Sequence, residues 1–122
     1  MNKLGNLVAD QWVEGDGDGN VLLSAVSGEP VAAISSNGLD FRAILDHAKS
    51  VGGPNLRKLT FHERGDMLKA LAKHLNDIKG EFYELSTQTG ATRKDSWPDI
   101  DGGISTMFVF SSKGRREMPN DH

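Results

Sequence analysis

A chain of 122 residues with a formal net charge of −3 and no cysteine has the length of one ordinary domain, and it excludes several functions at once. Disulfides, thiolate metal ligands and a cysteine nucleophile are absent together, and the mildly acidic balance gives no field that would attract nucleic acid or anionic lipid. No stretch approaches the roughly twenty apolar residues of a membrane span, and the start MNKLGNLVADQW has no signal-peptide core. A cytoplasmic protein is expected, with neither nucleic acid nor membrane as partner.

The first apolar run, residues 6–13, reads as a short strand ending in Trp12 and Val13, and residues 21–26 read as another. Between them lies the stretch Glu14-Gly15-Asp16-Gly17-Asp18-Gly19-Asn20, whose glycines tolerate positive φ and whose Asp and Asn side chains bond nearby backbone. The arrangement predicts a β-hairpin turning through the glycines. A calcium loop is the rival reading, but it needs Gly at its sixth position and a bidentate Glu at its twelfth. Counting from Asp16 puts Val21 and Ser27 there, so no metal site is expected. A second turn, Ser27-Gly28-Glu29-Pro30, leads into a third strand over 31–34.

The period then changes. Behind Asp40, a good N-cap, apolar residues fall at Phe41, Ile44, Leu45, Ala48 and Val51, and Gly52-Gly53-Pro54 predicts the stop. Thr60 and Glu63 form a T-x-x-E capping box, followed by a stripe of Met67, Leu68, Leu71, Ala72, Leu75 and Ile78 at helical spacing. A shorter helix with Phe82, Tyr83 and Leu85 follows Gly80 and stops before Gly90. The last helix is predicted to begin near Ser96, with Pro98 in its first turn where a missing N–H is harmless. It carries Trp97, Ile100, Ile104, Met107, Phe108 and Ser111 along one side and stops at Gly114.

Little in these elements carries chemistry. The four histidines stand at 47, 62, 74 and 122, and no two share the i, i+4 spacing that would place two imidazoles on one helical face. There is no G-x-S-x-G elbow to expose a serine nucleophile. The Gly-x-Gly patterns at 15–19 lie between strands, where no helix N-terminus is offered to a phosphate. Arg93-Lys94 and the cations from Lys113 to Arg116 lack interleaved aromatics and read as solvated faces.

The order of hairpin, third strand, helix, capped helix, short helix, Thr-Gly and a further helix resembles the opening of the aldehyde dehydrogenase superfamily. The phrases that carry the resemblance are SAVSGEPVAAISSNGLDF at 24–41, LTFHERGDMLKALAKHL at 59–75 and FYELSTQTGATRKDSWPDIDGGISTMF at 82–108. ATRKDSWPDIDGG in particular is similar to CoA-semialdehyde dehydrogenases of aromatic (phenylacetate) catabolism, a group that includes forms fused to an oxepin-CoA hydrolase. The resemblance implies an α/β fold of which this is the N-terminal piece: hairpin and third strand over 1–36, then about four helices over 37–122, without the parent's parallel sheet. It implies NAD or NADP as the parent's cofactor, with no catalytic or cofactor-binding residue in this segment, since the thiolate and the glutamate of such enzymes belong to later segments. The partners implied are the remainder of the polypeptide and further copies of the parent.

By the same resemblance the helix after the Thr-Gly phrase lines the tunnel by which aldehydes reach the thiolate, and its inward positions fall on Pro98, Asp99, Gly102 and Thr106. Residues 98, 102 and 106 share one face, distinct from that of Ile100, Ile104 and Met107. Glycine at 102 has two readings, close helix packing or width for a bulky CoA thioester. A different reading of the whole chain is a small helical interaction module, without enzymatic activity, that docks through the stripe from Met67 to Ile78.

Overall fold

The computed structural model describes residues 2–121. Two compact units are formed, one up to Gly53 and one from Pro54 onward. Among the described residues the fold is α/β with two small sheets and no large parallel one.

In the first unit the strands are β1 (Asn2–Leu4), β2 (Asn6–Val8), β3 (Gln11–Val13), β4 (Asn20–Leu23) and β5 (Pro30–Ile34). One sheet has the order β1-β5-β4, with β1 parallel and β4 antiparallel to β5; the other is the antiparallel pair β2-β3. The hairpin expected across the glycine stretch is not formed, because β3 and β4, the strands the stretch joins, lie in different sheets. The chain reverses earlier, at Ala9 and Asp10, with φ of 48° and 65°. Positive φ at both central residues is the turn whose twist matches paired strands. A second reversal, between β4 and β5, is organised by Ser24, whose hydroxyl accepts from Val26 N and Ser27 N.

The glycine stretch is a crossover pressed against the chain after β5. Asp16 N donates to Asn37 O (2.8 Å), and Ser35 Oγ donates to Asp16 O (2.8 Å). A Cβ on Gly15 or Gly19 would fall on the carbonyls of Ser35 and Ile34 respectively, and Gly19 has φ +75°. Only glycine allows that approach. Lys3 Nζ donates to the carbonyls of Gly15 and Gly17 (2.6 Å to the latter), so an ammonium takes two of the stretch's backbone oxygens.

Helix α1 (Phe41–His47) is capped as expected, Asp40 Oδ1 accepting from Ala43 N at 2.9 Å. Gly52-Gly53-Pro54 does not stop it. A π-helical stretch (Ala48–Gly52) leads into α2 (Gly53–Arg57). Proline lacks an N–H and its ring crowds the carbonyl four residues back; a wider π turn just before it accommodates both. Counted as one run, 41–57 makes four helices among the described residues with those that follow.

The second unit is built on α3 (Phe61–Asp77), α4 (Lys79–Ser86) and α5 (Arg93–Glu117). The Thr60/Glu63 box is complete, with Glu63 N donating to Thr60 Oγ1 and Thr60 N to Glu63 Oε2 (2.7 Å). After α4 a 3-10 turn ends at Gly90, in the left-handed region at φ 83°. Helix α5 begins three residues before Ser96, because Thr92 and Asp95 form a further capping box. Pro98 is therefore the sixth residue of the helix and not in its first turn, and the helix continues past Gly114 to Glu117.

Helices α3 and α5 meet through small residues. Ser111 Oγ donates to Gly65 O at 2.7 Å, and both residues are buried with Ala72 and Ile104. Asp66 pairs with Arg115 at 3.2 Å. The predicted stripe divides: Leu68, Ala72 and Leu75 turn inward, while Met67 and Leu71 remain 52% and 46% exposed. Trp97, assigned to the packed side of α5, is 62% exposed instead. The buried apolar side chains of this unit are Ala72, Tyr83 and Ile104 among the described residues, a thin core for three helices.

Candidate functional site

The densest polar cluster joins α4 to the first half of α5. Lys79, Tyr83 and Ser86 recur at i, i+4 and i+7 of α4 and so share a face. Opposite them, Ser96 Oγ donates to Thr92 O (3.0 Å) and lies 2.7 Å from Ser86 Oγ. Since Ser96 has one proton, Ser86 is the donor of that pair. Asp101 accepts from Lys79 Nζ at 2.6 Å through one oxygen and from the Tyr83 hydroxyl through the other. The Arg93 guanidinium stands 4.6 Å over the Tyr83 ring.

The hydrogen bonds from Lys79 and then Tyr83 hold the Asp101 carboxyl below its ordinary value of 3.8. The bond to Asp101, with burial adding to it, raises the Tyr83 phenol above 10.0, against the opposing charge of Arg93. At neutral pH the pair is thus carboxylate and phenol, and neither group is poised to exchange a proton near pH 7. The cluster fixes one helix to another. It also shapes an open hollow of about 620 Å³ lined by Lys79, Tyr83, Arg93, Lys94, Trp97 and Asp101.

The residues predicted for the tunnel lie on the adjacent face of α5. Pro98, Asp99 and Thr106 are exposed and Gly102 is half-buried. Thr106 Oγ1 donates back to Gly102 O at 2.9 Å. A Cβ at Gly102 would meet nothing within 4 Å, so packing within this chain does not require glycine there. The helical glycine that packing presses on is Gly65, where a Cβ would stand 3.0 Å from Arg115 Cγ and 3.1 Å from Ser111 O. Pro98, Gly102 and Thr106 do share a face, and Asp99 stands one residue farther round.

Sequence reasoning passed over Lys79, Tyr83 and Asp101. The signal was the line Lys79, Tyr83, Ser86 at helical spacing, on a helix read for Phe82 and Leu85. Among the described residues, no group of three or more His, Asp or Glu is placed to share a metal ion, and no helix is long and apolar enough to cross a membrane.

No family model matches the chain. A curated relative does: the 3,4-dehydroadipyl-CoA semialdehyde dehydrogenase of Aromatoleum evansii is 38% identical over 114 residues, which are 93% of this chain and 22% of the relative. The chain therefore spans less than a quarter of the protein it is similar to.

Proposed function

We propose that this chain is the N-terminal structural segment of an NAD(P)-dependent CoA-semialdehyde dehydrogenase of aromatic catabolism, inactive by itself. The observation that carries this reading is the 38% identity over 93% of the chain to a protein of which it spans 22%. From the resemblance of ATRKDSWPDIDGG the parent proposed is a phenylacetate-degradation bifunctional protein, with the dehydrogenase fused to an oxepin-CoA hydrolase, and the proposal extends to a cytoplasmic homo-oligomer. Oxidation of an aldehyde by such an enzyme begins with a cysteine thiolate, and these 122 residues contain none. The exposed apolar side chains of α3 and α5, Met67, Leu71, Val109 and Phe110 among them, are the faces that the remaining polypeptide would cover.

In that parent the face of Pro98, Asp99, Gly102 and Thr106 lines the substrate path, with Gly102 leaving width for a CoA thioester. Two measurements test the reading. The frame read beyond the His122 codon should continue into a dinucleotide-binding domain, and the 122-residue chain should show no turnover of a CoA-linked semialdehyde with NAD or NADP. A stop codon followed by an unrelated gene, or turnover by the chain alone, would refute it. In the continued protein, Gly102→Leu should impair the CoA-linked semialdehyde far more than a small aldehyde.

A further inference from the structure

We infer that the hollow between α4 and the first half of α5 is a binding site for the phosphorylated nucleotide end of a CoA thioester. The inference rests on the proposed substrate class and adds to it the place where the non-reacting end of that substrate is held. Four features of the hollow support it. First, it concentrates positive charge: Lys79, Arg93 and Lys94 line it together with a single carboxylate, Asp101. That carboxylate is already engaged by Lys79 and Tyr83, and Lys94 has no ion pair among the described residues. An anion entering the hollow therefore meets two cations not neutralised by a carboxylate.

Second, Trp97 projects into the same hollow while remaining 62% exposed. A large ring left in water beside free cations is a platform for an aromatic base, since stacking is indifferent to base identity and the cations take the phosphates. Third, Arg93 is preorganised, its guanidinium held over the Tyr83 ring at 4.6 Å while Tyr83 itself is tied to Asp101. Less side-chain freedom is then lost when it binds phosphate.

Fourth, the location suits a long, two-ended ligand. Trp97 and Asp101 precede Pro98 and Gly102 by one residue each, so the hollow lies about 100° round the same helix from the face proposed for the substrate path. A ligand could rest its charged end in the hollow and direct its thioester arm along the neighbouring face. The other cationic hollow, lined by His62, Lys69, Arg115 and Arg116, is less suited. Arg115 is spent on Asp66, His62 lies against Met118 O, and its one aromatic ring, Phe108, is half-buried.

The test uses coenzyme A and pantetheine, which share the thiol arm and differ in the phosphorylated nucleotide. Of the two tryptophans, Trp12 is replaced by Phe so that fluorescence reports Trp97 alone. Coenzyme A should quench it saturably and in a salt-dependent manner, Lys94→Glu should weaken that binding roughly tenfold or more, and pantetheine should not quench. Equal quenching by pantetheine, or binding untouched by Lys94→Glu, would overturn the site. In the continued full-length protein, Lys94→Glu should raise KM for the CoA-linked semialdehyde and leave KM for its pantetheine analogue in place; an unmoved KM for both overturns the site whatever the free chain does. Failure of the two ideas is distinguishable. A dehydrogenase indifferent to Lys94 keeps the proposed function and loses the site, whereas Lys94-dependent CoA binding by a chain with no continuing dehydrogenase frame does the reverse.

Discussion

Two glycines on facing helices should respond in opposite directions to the same methyl group. In a helix interior Gly→Ala gains roughly 1 kcal/mol from backbone entropy. At Gly102 a Cβ meets nothing within 4 Å, so Gly102→Ala should show that gain nearly whole. At Gly65 the new carbon would stand 3.0 Å from Arg115 Cγ and 3.1 Å from Ser111 O. The arginine methylene can move aside, but Ser111 O is helix backbone, and its residue is already tied to Gly65 by the 2.7 Å hydrogen bond. Overpacking of this kind costs about 1–3 kcal/mol, which offsets the propensity gain or exceeds it by up to roughly 2 kcal/mol. The two variants should therefore differ by about 1–3 kcal/mol, with Gly102→Ala the more stable. Urea unfolding followed by helical circular dichroism, in buffer containing an osmolyte that raises all stabilities alike, resolves the difference. With a slope of about 1 kcal/mol/M, the midpoints should separate by roughly 1 M or more. Equal stabilisation by both alanines would show that α3 and α5 do not meet at Gly65.

Thr60→Ala and Thr92→Ala should each cost about 1 kcal/mol, since each removes the acceptor for an orphan helix N–H; a neutral Thr92→Ala in the same urea assay would move the start of α5 back towards Ser96. Asp101 has a lowered folded-state pKa, so its contribution is whole above the ordinary 3.8 and is lost as pH falls through the lower folded value. Acid titration of helicity should accordingly be steeper below pH 3.8 in the unsubstituted chain than in Asp101→Asn, and parallel curves would refute the Lys79–Asp101–Tyr83 tie. Millimolar calcium should leave the spectrum and melting of the chain unchanged, and a stoichiometric calorimetric signal abolished by Asp16→Asn would overturn the reading of the glycine stretch. A hydrophobic dye should bind the free chain and bind less after Met67→Lys with Leu71→Lys; no dye binding at all would mean that these faces are already covered.

The helix boundaries set by local chemistry were legible from residues alone. Asp40 and Thr60 cap because a side-chain oxygen reaches an N–H two or three residues on, a matter of adjacent sequence. Thr92-x-x-Asp95 carried the same signal and was outweighed by Pro98, whose preference for a first turn is strong but not binding. Strand pairing was less legible. Ala9-Asp10 lacks the glycine or asparagine that usually announces a two-residue reversal, and the glycine stretch drew the hairpin to itself, although its glycines answer to the close approach of Ser35 and Ile34. That Pro98, Gly102 and Thr106 share a face followed from helical spacing, whereas a place for them in a substrate path is implied by the resemblance alone. The Lys79–Tyr83–Asp101 cluster did not follow from spacing, because it depends on how α4 lies against α5, which no periodicity within either helix records.

Strand β4 ends its sheet, and its outer edge has no neighbour among the described residues. It carries Val21, Leu22 and Leu23, all at least 40% exposed, with neither a charge nor a proline to discourage a newcomer, and only the irregularity between Leu22 and Leu23 bends it. A ladder of unpaired N–H and C=O groups beside apolar side chains is a template for another extended segment. For the bench the consequence is colloidal. The free chain should associate edge to edge as its concentration rises, losing monomer in sedimentation before it loses helix, and a lysine at Val21 should keep it dispersed.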